Sequence, residues 1–538
     1  MYKGEEYYDP ANGLSFPTPF TPDESFNPVL LKDGSYRSMF GPSAAHLGVV
    51  MANTAYTINF AFNLRMLIVR ESLEKEVILR DNQASYLSKP SPLLFALADI
   101  FSYALREYLG WYVEAEQHHA DPHAKRLLRM HAWNELHTDG GSGARLWLFN
   151  NCVNYKLKKD EIGKPNTPVF LNGVEHRTGV GRMIGDLGVS ASLQGFRLTE
   201  LLKNGMAKEA VVIGDARFQF CKRPSPGELQ EVMDKLYSPP ETHYFVYFSD
   251  DACYARRLPS GVVKRWNVDI KKCDASHTRA IFDKLIDLVP ELWRDDMQIL
   301  VDQCSADITI RSPDNSKHAV RLTPVDGQGR CPKLYSGSTL TTLLNNLANL
   351  TIGECLVRCA SLDADSLIES VEECGYAISM NENELFEDVQ FLKYSPVKDN
   401  HGRYRPLLNV GVMLRAIGQC KGDVPGRGPL VPRFRAFQKG LLNGLYPTTS
   451  FVLVNRMKEM VEDAVVTKAT FSAVSRNLPY FTPEEGDRTH FLDEDVYRRY
   501  RLSREEIDRL NDELGDAGVG ALHDSSGSRA IFSKDYEL

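Results

Sequence analysis

Apolar positions along the chain follow two rhythms, and together they predict a mixed α and β fold. Leu93 to Glu116 repeats apolar residues at helical spacing, within a mostly helical region from about 45 to 150. The run from His46 to Val69 is interrupted by Asn53, Asn59, Asn63 and Arg65, which predicts a buried helix rather than a membrane span. Val180 to Val189 has strand-like positions flanked by glycines, and 196–240 reads as helix with turns. Tyr244 to Phe248 is a short, mostly aromatic strand, Ser249, Asp250 and Asp251 form a tight turn, and Ala252 to Ala255 is the return strand. After a turn at Leu258 to Gly261, Val262 to Ile270 reads as another strand.

The later blocks are coarser. Asp274 to Leu288 is helical, and 296–331 alternates as strands and a hairpin, with turns at Pro313-Asp314 and Asp326-Gly327. A loop at Ser336-Gly337 precedes a long helix that puts Thr341 and Asn345 on one face. A second helix over 363–380 ends at Gly375 and leads into a strand, Val389 to Val397 is a short hairpin, and from 400 onward the chain is helical. Residues 482–515 read as a solvated helical face of mixed charge. Residues 1–40 read as an extended arm over a later domain, and the Gly-, Ser- and Asp-rich end from Asp516 as mobile.

Composition narrows the function classes. A length of 538 residues suits one large multi-lobed enzyme or several domains. A net charge of −8 excludes a generally basic nucleic-acid coat, so any nucleic-acid site must concentrate its cations in a channel. Ten cysteines without a CxxC pair read as reduced thiols of a cytosolic protein. The start lacks the layout of a signal peptide. His118, His119, His123, His131 and His137 cluster, but Pro122 breaks the helix that would align His119 with His123, which favours solvated or packing histidines.

The candidate chemistry lies between Tyr244 and Asp274. Asp250 and Asp251 at a hairpin tip, with Asp269 at the end of the next strand, can place carboxylates on both sides of a pair of divalent ions about 3.5–4 Å apart, as in-line phosphoryl transfer requires. The hairpin alone, Ser249 to Asp251, also fits an ordinary exposed Ser-Asp-Asp turn. Lys156, Lys158, Lys159, Lys164, Arg177 and Arg182 form a basic strand and loop that suits a triphosphate tunnel, or a solvated basic loop. The helix after Ser336 fits a Ser-capped core helix with asparagines on its wet side. Asp215, a lone carboxylate in VVIGDA, reads as a structural turn.

Over about 155–420 these segments resemble a viral RNA-dependent RNA polymerase. NVDIKKCDAS looks like motif A, SGSTLTTLLN like motif B, GYAISM with the helix before it like motif D, FLKYSP like motif E, and GRMIGDLGVSASLQG like motif F. FSDDAC is the candidate for motif C, and it stands upstream of motif A. That C–A–B order is similar to the permuted polymerases of permutotetraviruses and birnaviruses. Two departures stand out: Ser249 occupies a position where glycine is commonest, and MNENELFED lacks the lysine that often acts as general acid.

The resemblance implies an α+β right hand with a permuted antiparallel palm sheet backed by helices. It divides the chain into an arm (1–40), fingers (41–240, with basic segment 155–195), palm (241–288), an insert (289–331), further palm (332–400), a thumb (401–515) and a tail (516–538). It implies Mg²⁺ or Mn²⁺ on Asp250, Asp251 and Asp269, with the Ile270 carbonyl joining. The nucleotide would meet Asp274, Ser336, Gly337, Thr341, Asn345, Arg182, Lys158 and Lys164. Implied partners are RNA template and product, NTPs and other viral replication or capsid proteins, in the host-cell cytoplasm or with the virion, with no membrane segment. Two other readings of the same residues are a reverse transcriptase and a catalytically degenerate polymerase fold that only binds RNA.

Overall fold

The computed structural model describes residues 2–4, 8–9, 13–14, 49–50, 62, 73–118, 152–158, 162–163, 167–171, 174–178, 182–311, 319–361, 363–418, 427–445, 452–468, 470, 489–516 and 526–536. Helices α1 (Leu73–Leu87) and α2 (Pro92–His118) come first. Strands β1 (Cys152–Leu157) and β2 (Met183–Asp186) precede α3 (Val189–Lys208). Next are β3 (Val211–Ile213), β4 (Ala216–Phe220), α4 (Pro226–Tyr237), β5 (His243–Phe248), β6 (Asp251–Arg257) and β7 (Val263–Ile270). Helices α5 (Arg279–Leu288) and α6 (Arg294–Gln303) lead to β8 (Asp307–Arg311) and β9 (Ala319–Asp326). Then follow α7 (Thr341–Arg358), α8 (Ala364–Val371), β10 (Ile378–Glu382), β11 (Tyr394–Lys398) and β12 (Tyr404–Leu408). The rest is helical: α9 (Val410–Gly418), α10 (Leu430–Leu445), α11 (Val452–Glu459), α12 (Asp493–Arg498), α13 (Arg504–Asp516) and α14 (Ser526–Tyr536).

The central sheet runs β3-β4-β5-β6-β7-β10. Its pairs are antiparallel except β4 with β5, which are parallel and joined through α4. Helix α4 is well specified locally: Ser225 and Glu228 form a capping box, and Pro226 takes the first helical position. The aromatic run of β5 does not alternate with polar residues because both faces of the sheet are covered. Phe245 and Tyr247 join Tyr254, Trp266, Val268 and Ile270 in a core shared with α7. Tyr244 and Val246 join Cys253 and Ala255 in a second core with α4, β11, β12 and the C-terminal helices. The period of two along each strand thus feeds two cores from one sheet.

A second sheet runs from Tyr2–Gly4 through β9, β8 and β1 to β2. The strand β1 is parallel to β8, so the basic segment and the segment after α6 share one sheet. Tyr2 lies opposite Pro324 at its edge.

Several expected elements differ. Residues 296–303, expected as part of a strand block, belong to α6, because Met297, Leu300 and Val301 bury at helical spacing. Residues 404–408, expected as helix, form β12 and pair with β11, with Tyr404 opposite Lys398. The end, expected to be mobile, carries α14 over 526–536, where Ser528, Ile531 and Asp535 are fully buried. The face expected to be solvated contains Arg499, which is buried. Most of the run 46–69, the Pro313-Asp314 turn, and His119, His123, His131 and His137 lie outside the described residues. Among the described residues the cysteines are free, and no helix is long and apolar enough to cross a membrane.

Candidate active site

The site forms where β5, β6 and β7 end together. Asp251 opens β6 and lies directly opposite Asp269 on β7, so both side chains leave the same face of the sheet. Asp250 sits at the hairpin tip and, like Asp269, is open to solvent. Ile270 ends β7 opposite Ile378, with its side chain buried beneath the sheet. Asp215 marks the far end of β5, where its carboxylate accepts from Thr242 N at 3.0 Å, as a structural turn should.

The carboxylates act on one another and on a neighbouring thiol. Burial, then the charges of Asp274, Asp250 and Asp269, push the Cys273 thiol well above its usual range. Burial pushes Asp251 up to about 7, with Asp250 and Asp269 adding to the rise, while the Leu392 N–H at 2.8 Å and Lys393 oppose it. Asp250 is raised by crowding on its protein side and by Asp274, and is lowered in part by Arg182 and Lys393. Carboxylates that raise a neighbouring carboxylate in this way are a donor type suited to a hard dication. Among the described residues, however, no three His, Cys, Asp or Glu side chains stand close enough to hold an ion as they are.

The hairpin tip is held by α7. Ser249 adopts a left-handed conformation, φ 54°, which most side chains avoid. Each of its polar groups is tied to an asparagine of α7. Its N–H donates to Asn346 Oδ1 at 2.8 Å, its Oγ accepts from Asn345 Nδ2 at 3.2 Å, and its carbonyl accepts from Asn349 Nδ2. Among the described residues Asn346 Nδ2 and Asn349 Oδ1 find no partner, so both amides serve Ser249 at the expense of their other ends. These asparagines are buried, not on a wet face.

The nucleotide-binding candidates fall into three groups. Asp274, Ser336 and Asn345 come together: Ser336 Oγ donates to Asp274 Oδ2, and Asn345 Nδ2 donates to Asp274 Oδ1 at 3.1 Å. Gly337 meets the β2 strand, where Gly185 N donates to Ser336 O at 2.7 Å. A Cβ on Gly337, φ 110°, would stand 2.3 Å from Gly185 O, so only glycine fits. Thr341 turns to the loop itself, donating to Tyr335 O at 3.2 Å. Arg182 lies close enough to act on Asp250, and its carbonyl accepts from Lys158 N at 2.9 Å. Lys164 lies outside the described residues.

Sequence reasoning missed Asn346, Asn349, His277 and the Leu392–Lys393 turn. The asparagines carried a signal, since three amides within five positions, set among Leu343, Leu344, Leu347, Ala348 and Leu350, must be bound to something. Leu392 and Lys393 carried none, because their left-handed conformation, φ 53° and 67°, is imposed by the hairpin.

No protein-family model matches the chain, and no curated protein matches it. Among the solved structures to which it is similar are two viral ones. One is the RNA polymerase VP1 of infectious pancreatic necrosis virus, at 11% identity over 73% of this chain and 52% of that one, with a TM-score of 0.37. The other is a birnavirus VP1–VP3 complex, at 11% identity over 74% of this chain and 61% of that one, with a TM-score of 0.39. The chain spans less than two thirds of the length of either of these structures.

Proposed function

We propose that the protein is a viral RNA-directed RNA polymerase with a permuted palm, in which the motif C hairpin (Ser249 to Asp251) precedes motif A (Asp269 to Asp274). The observation that carries the reading is the opposition of Asp251 and Asp269 at one end of the central sheet, next to Asp250 and to the Asp274–Asn345 pair. Phosphoryl transfer and ribose recognition need these two constellations side by side.

In this reading Asp250, Asp251 and Asp269 would hold Mg²⁺ or Mn²⁺, with the Ile270 carbonyl joining them. When bound, the dications acidify the RNA 3′-hydroxyl and neutralise phosphate charge. Asp251 is oriented by the Leu392 N–H, and the α7 clamp on Ser249 sets where Asp250 points. Arg182, with Lys158 and Lys164, binds the triphosphate. Asp274, Asn345 and Ser336 hydrogen-bond the ribose, and Gly337 lets their loop approach β2. The 3′-oxygen then attacks the α-phosphorus in line, and pyrophosphate leaves. RNA, NTPs and other viral proteins are the proposed partners, with the host-cell cytoplasm or the virion as the place of action.

The open carboxylate arrangement favours one second reading, an RNA-binding protein with a degenerate polymerase fold. RNA synthesis on a short RNA template with NTPs and Mg²⁺ or Mn²⁺ separates the two. Synthesis by wild type, lost in Asp250→Ala/Asp251→Ala, is the expected result. Equal synthesis by both would remove the hairpin from the site, RNA binding without synthesis would favour the second reading, and a preference for dNTPs would point to a reverse transcriptase.

A further inference from the structure

We infer that His277 is a positioning residue for sugar selection, fixing the side-chain amide of Asn345 so that its NH₂ faces Asp274. This rests on the polymerase reading of the Asp274–Asn345 pair. His277 is fully buried, three residues beyond Asp274. Its Nε2 lies 2.7 Å from Asn345 Oδ1, and its Nδ1 lies 3.1 Å from Tyr376 Oη.

The hydrogen-bond roles are determined by elimination. An ionised carboxylate only accepts, so Asn345 must present its NH₂ to Asp274. The second hydrogen of that NH₂ goes to Ser249 Oγ. Asn345 Oδ1 is thereby turned to His277 and requires a donor, so the imidazole carries its proton on Nε2. Nδ1 is then an acceptor, matched by the Tyr376 hydroxyl. Burial pushes the His277 pKa down to about 4, so the ring stays neutral near pH 7 and keeps this single arrangement.

The imidazole is also held in place through its backbone. Gln83, on α1, donates to Ser276 O at 3.2 Å and accepts from Thr278 N at 3.0 Å and Thr278 Oγ1 at 2.6 Å, gripping the chain on both sides of His277. Gly375 closes the other side, since a Cβ there would stand 2.3 Å from the Gln83 Cβ. The ring of Tyr376, the next residue, meets the imidazole edge-on. With His277 removed, the buried Asn345 Oδ1 loses its donor, the amide is no longer held against Asp274 and Ser249 from behind, and the placement of the NH₂ donor beside a ribose hydroxyl loosens.

The test is the ratio of kcat/KM for an NTP to that for the matching 2′-deoxy-NTP, on a primed RNA template. His277→Phe fills the space but offers no donor. It is expected to narrow the ribose preference about ten-fold, the effect of one well-placed buried hydrogen bond. His277→Gln restores a donor at the position of Nε2 and is expected to recover most of the preference. Tyr376→Phe frees the tautomer and is expected to narrow the preference about two- to three-fold, which gives a second reading should His277→Phe fail to fold. A merely structural histidine would lower kcat/KM for both nucleotides equally, and an unchanged ratio in folded His277→Phe would overturn the inference alone. A wild type that extends RNA with neither nucleotide would overturn the polymerase reading and this inference with it.

Discussion

Asp535 and Arg499 form the most deeply buried ion pair among the described residues, at 0% and 3% side-chain exposure, and replacing Asp535 with alanine is expected to unseat α14. Three donors converge on the carboxylate: Arg499 Nε at 3.2 Å, Gly411 N at 2.8 Å and Tyr500 Oη at 2.8 Å. Burial nevertheless raises the Asp535 pKa, with Arg499 and the other donors only partly offsetting it, so the intact pair is a weak source of net stability. Removing one side has a different effect. Alanine at 535 would leave Arg499 charged and buried, with the Glu387 and Asp388 carbonyls and Gln390 Oε1 as its remaining partners. Breaking a buried pair in this way costs about 3–5 kcal/mol. Asp535→Asn keeps an acceptor for Gly411 and Tyr500 and should cost less, about 1–3 kcal/mol. Amide hydrogen exchange over 410–414 and 526–536 reads the effect locally. Wild-type protection in Asp535→Ala, or a loss below about 1 kcal/mol, would refute the buried-charge argument. RNA synthesis should fall as well, because the network continues from Arg499 through Gln390, whose N–H donates to Asn267 Oδ1 at 3.0 Å, to the Leu392 N–H on Asp251.

Three further outcomes are expected. Asp269→Ala should lower RNA synthesis about a thousand-fold, roughly 4 kcal/mol of barrier, in a protein that still folds; near wild-type extension would remove Asp269 from the site. Asn346→Ala strips the acceptor from the Ser249 N–H and should cost about 1–3 kcal/mol of stability and lower kcat, measured by denaturant melts and extension assays; unchanged values would show that Ser249 holds its conformation unaided. The pKa of His277 falls from 6.5 to about 4 on folding, so above pH 6.5 both states are neutral and the group adds no pH dependence. As pH drops from 6.5 to 4 the unfolded chain binds a proton that the folded one refuses, and stability falls by about 3 kcal/mol. Denaturant melts of wild type and His277→Phe across that window should differ in slope, and parallel curves would refute the assignment.

The strands of the candidate site are legible in the sequence because their chemistry and their periodicity coincide. An aromatic run, a Ser-Asp-Asp turn and a strand ending at Asp269 predict two strands with carboxylates at one end, and β5, β6 and β7 have that form. The Asp274, Ser336 and Asn345 group was legible only through the resemblance, since nothing local brings residues more than sixty positions apart together. Strand β12 was missed because its apolar residues continue into α9, and a short apolar run reads as either element. Helix α14 was missed because its composition is polar, while its seating depends on Asp535 meeting a distant arginine. Local patterns carry no record of such a pairing.

The serine at the hairpin tip shows why a single departure from the commonest pattern is informative. Glycine adopts a left-handed turn without steric penalty and holds it loosely; serine adopts it against a preference and needs compensation. Here the compensation comes from α7, which binds the N–H, the hydroxyl and the carbonyl of Ser249 with three asparagines. One of these, Asn345, also donates to Asp274 and accepts from His277. The substitution therefore links the hairpin that carries Asp250 and Asp251 to the residues proposed to recognise ribose. A glycine could occupy the turn but has no hydroxyl to join that link. It follows that Ser249→Gly should fold, retain part of its synthesis, and discriminate less well between ribose and deoxyribose. Ser249→Gly with wild-type discrimination would show that the hydroxyl only stabilises the turn, and would confine the coupling to Asp274, Asn345 and His277.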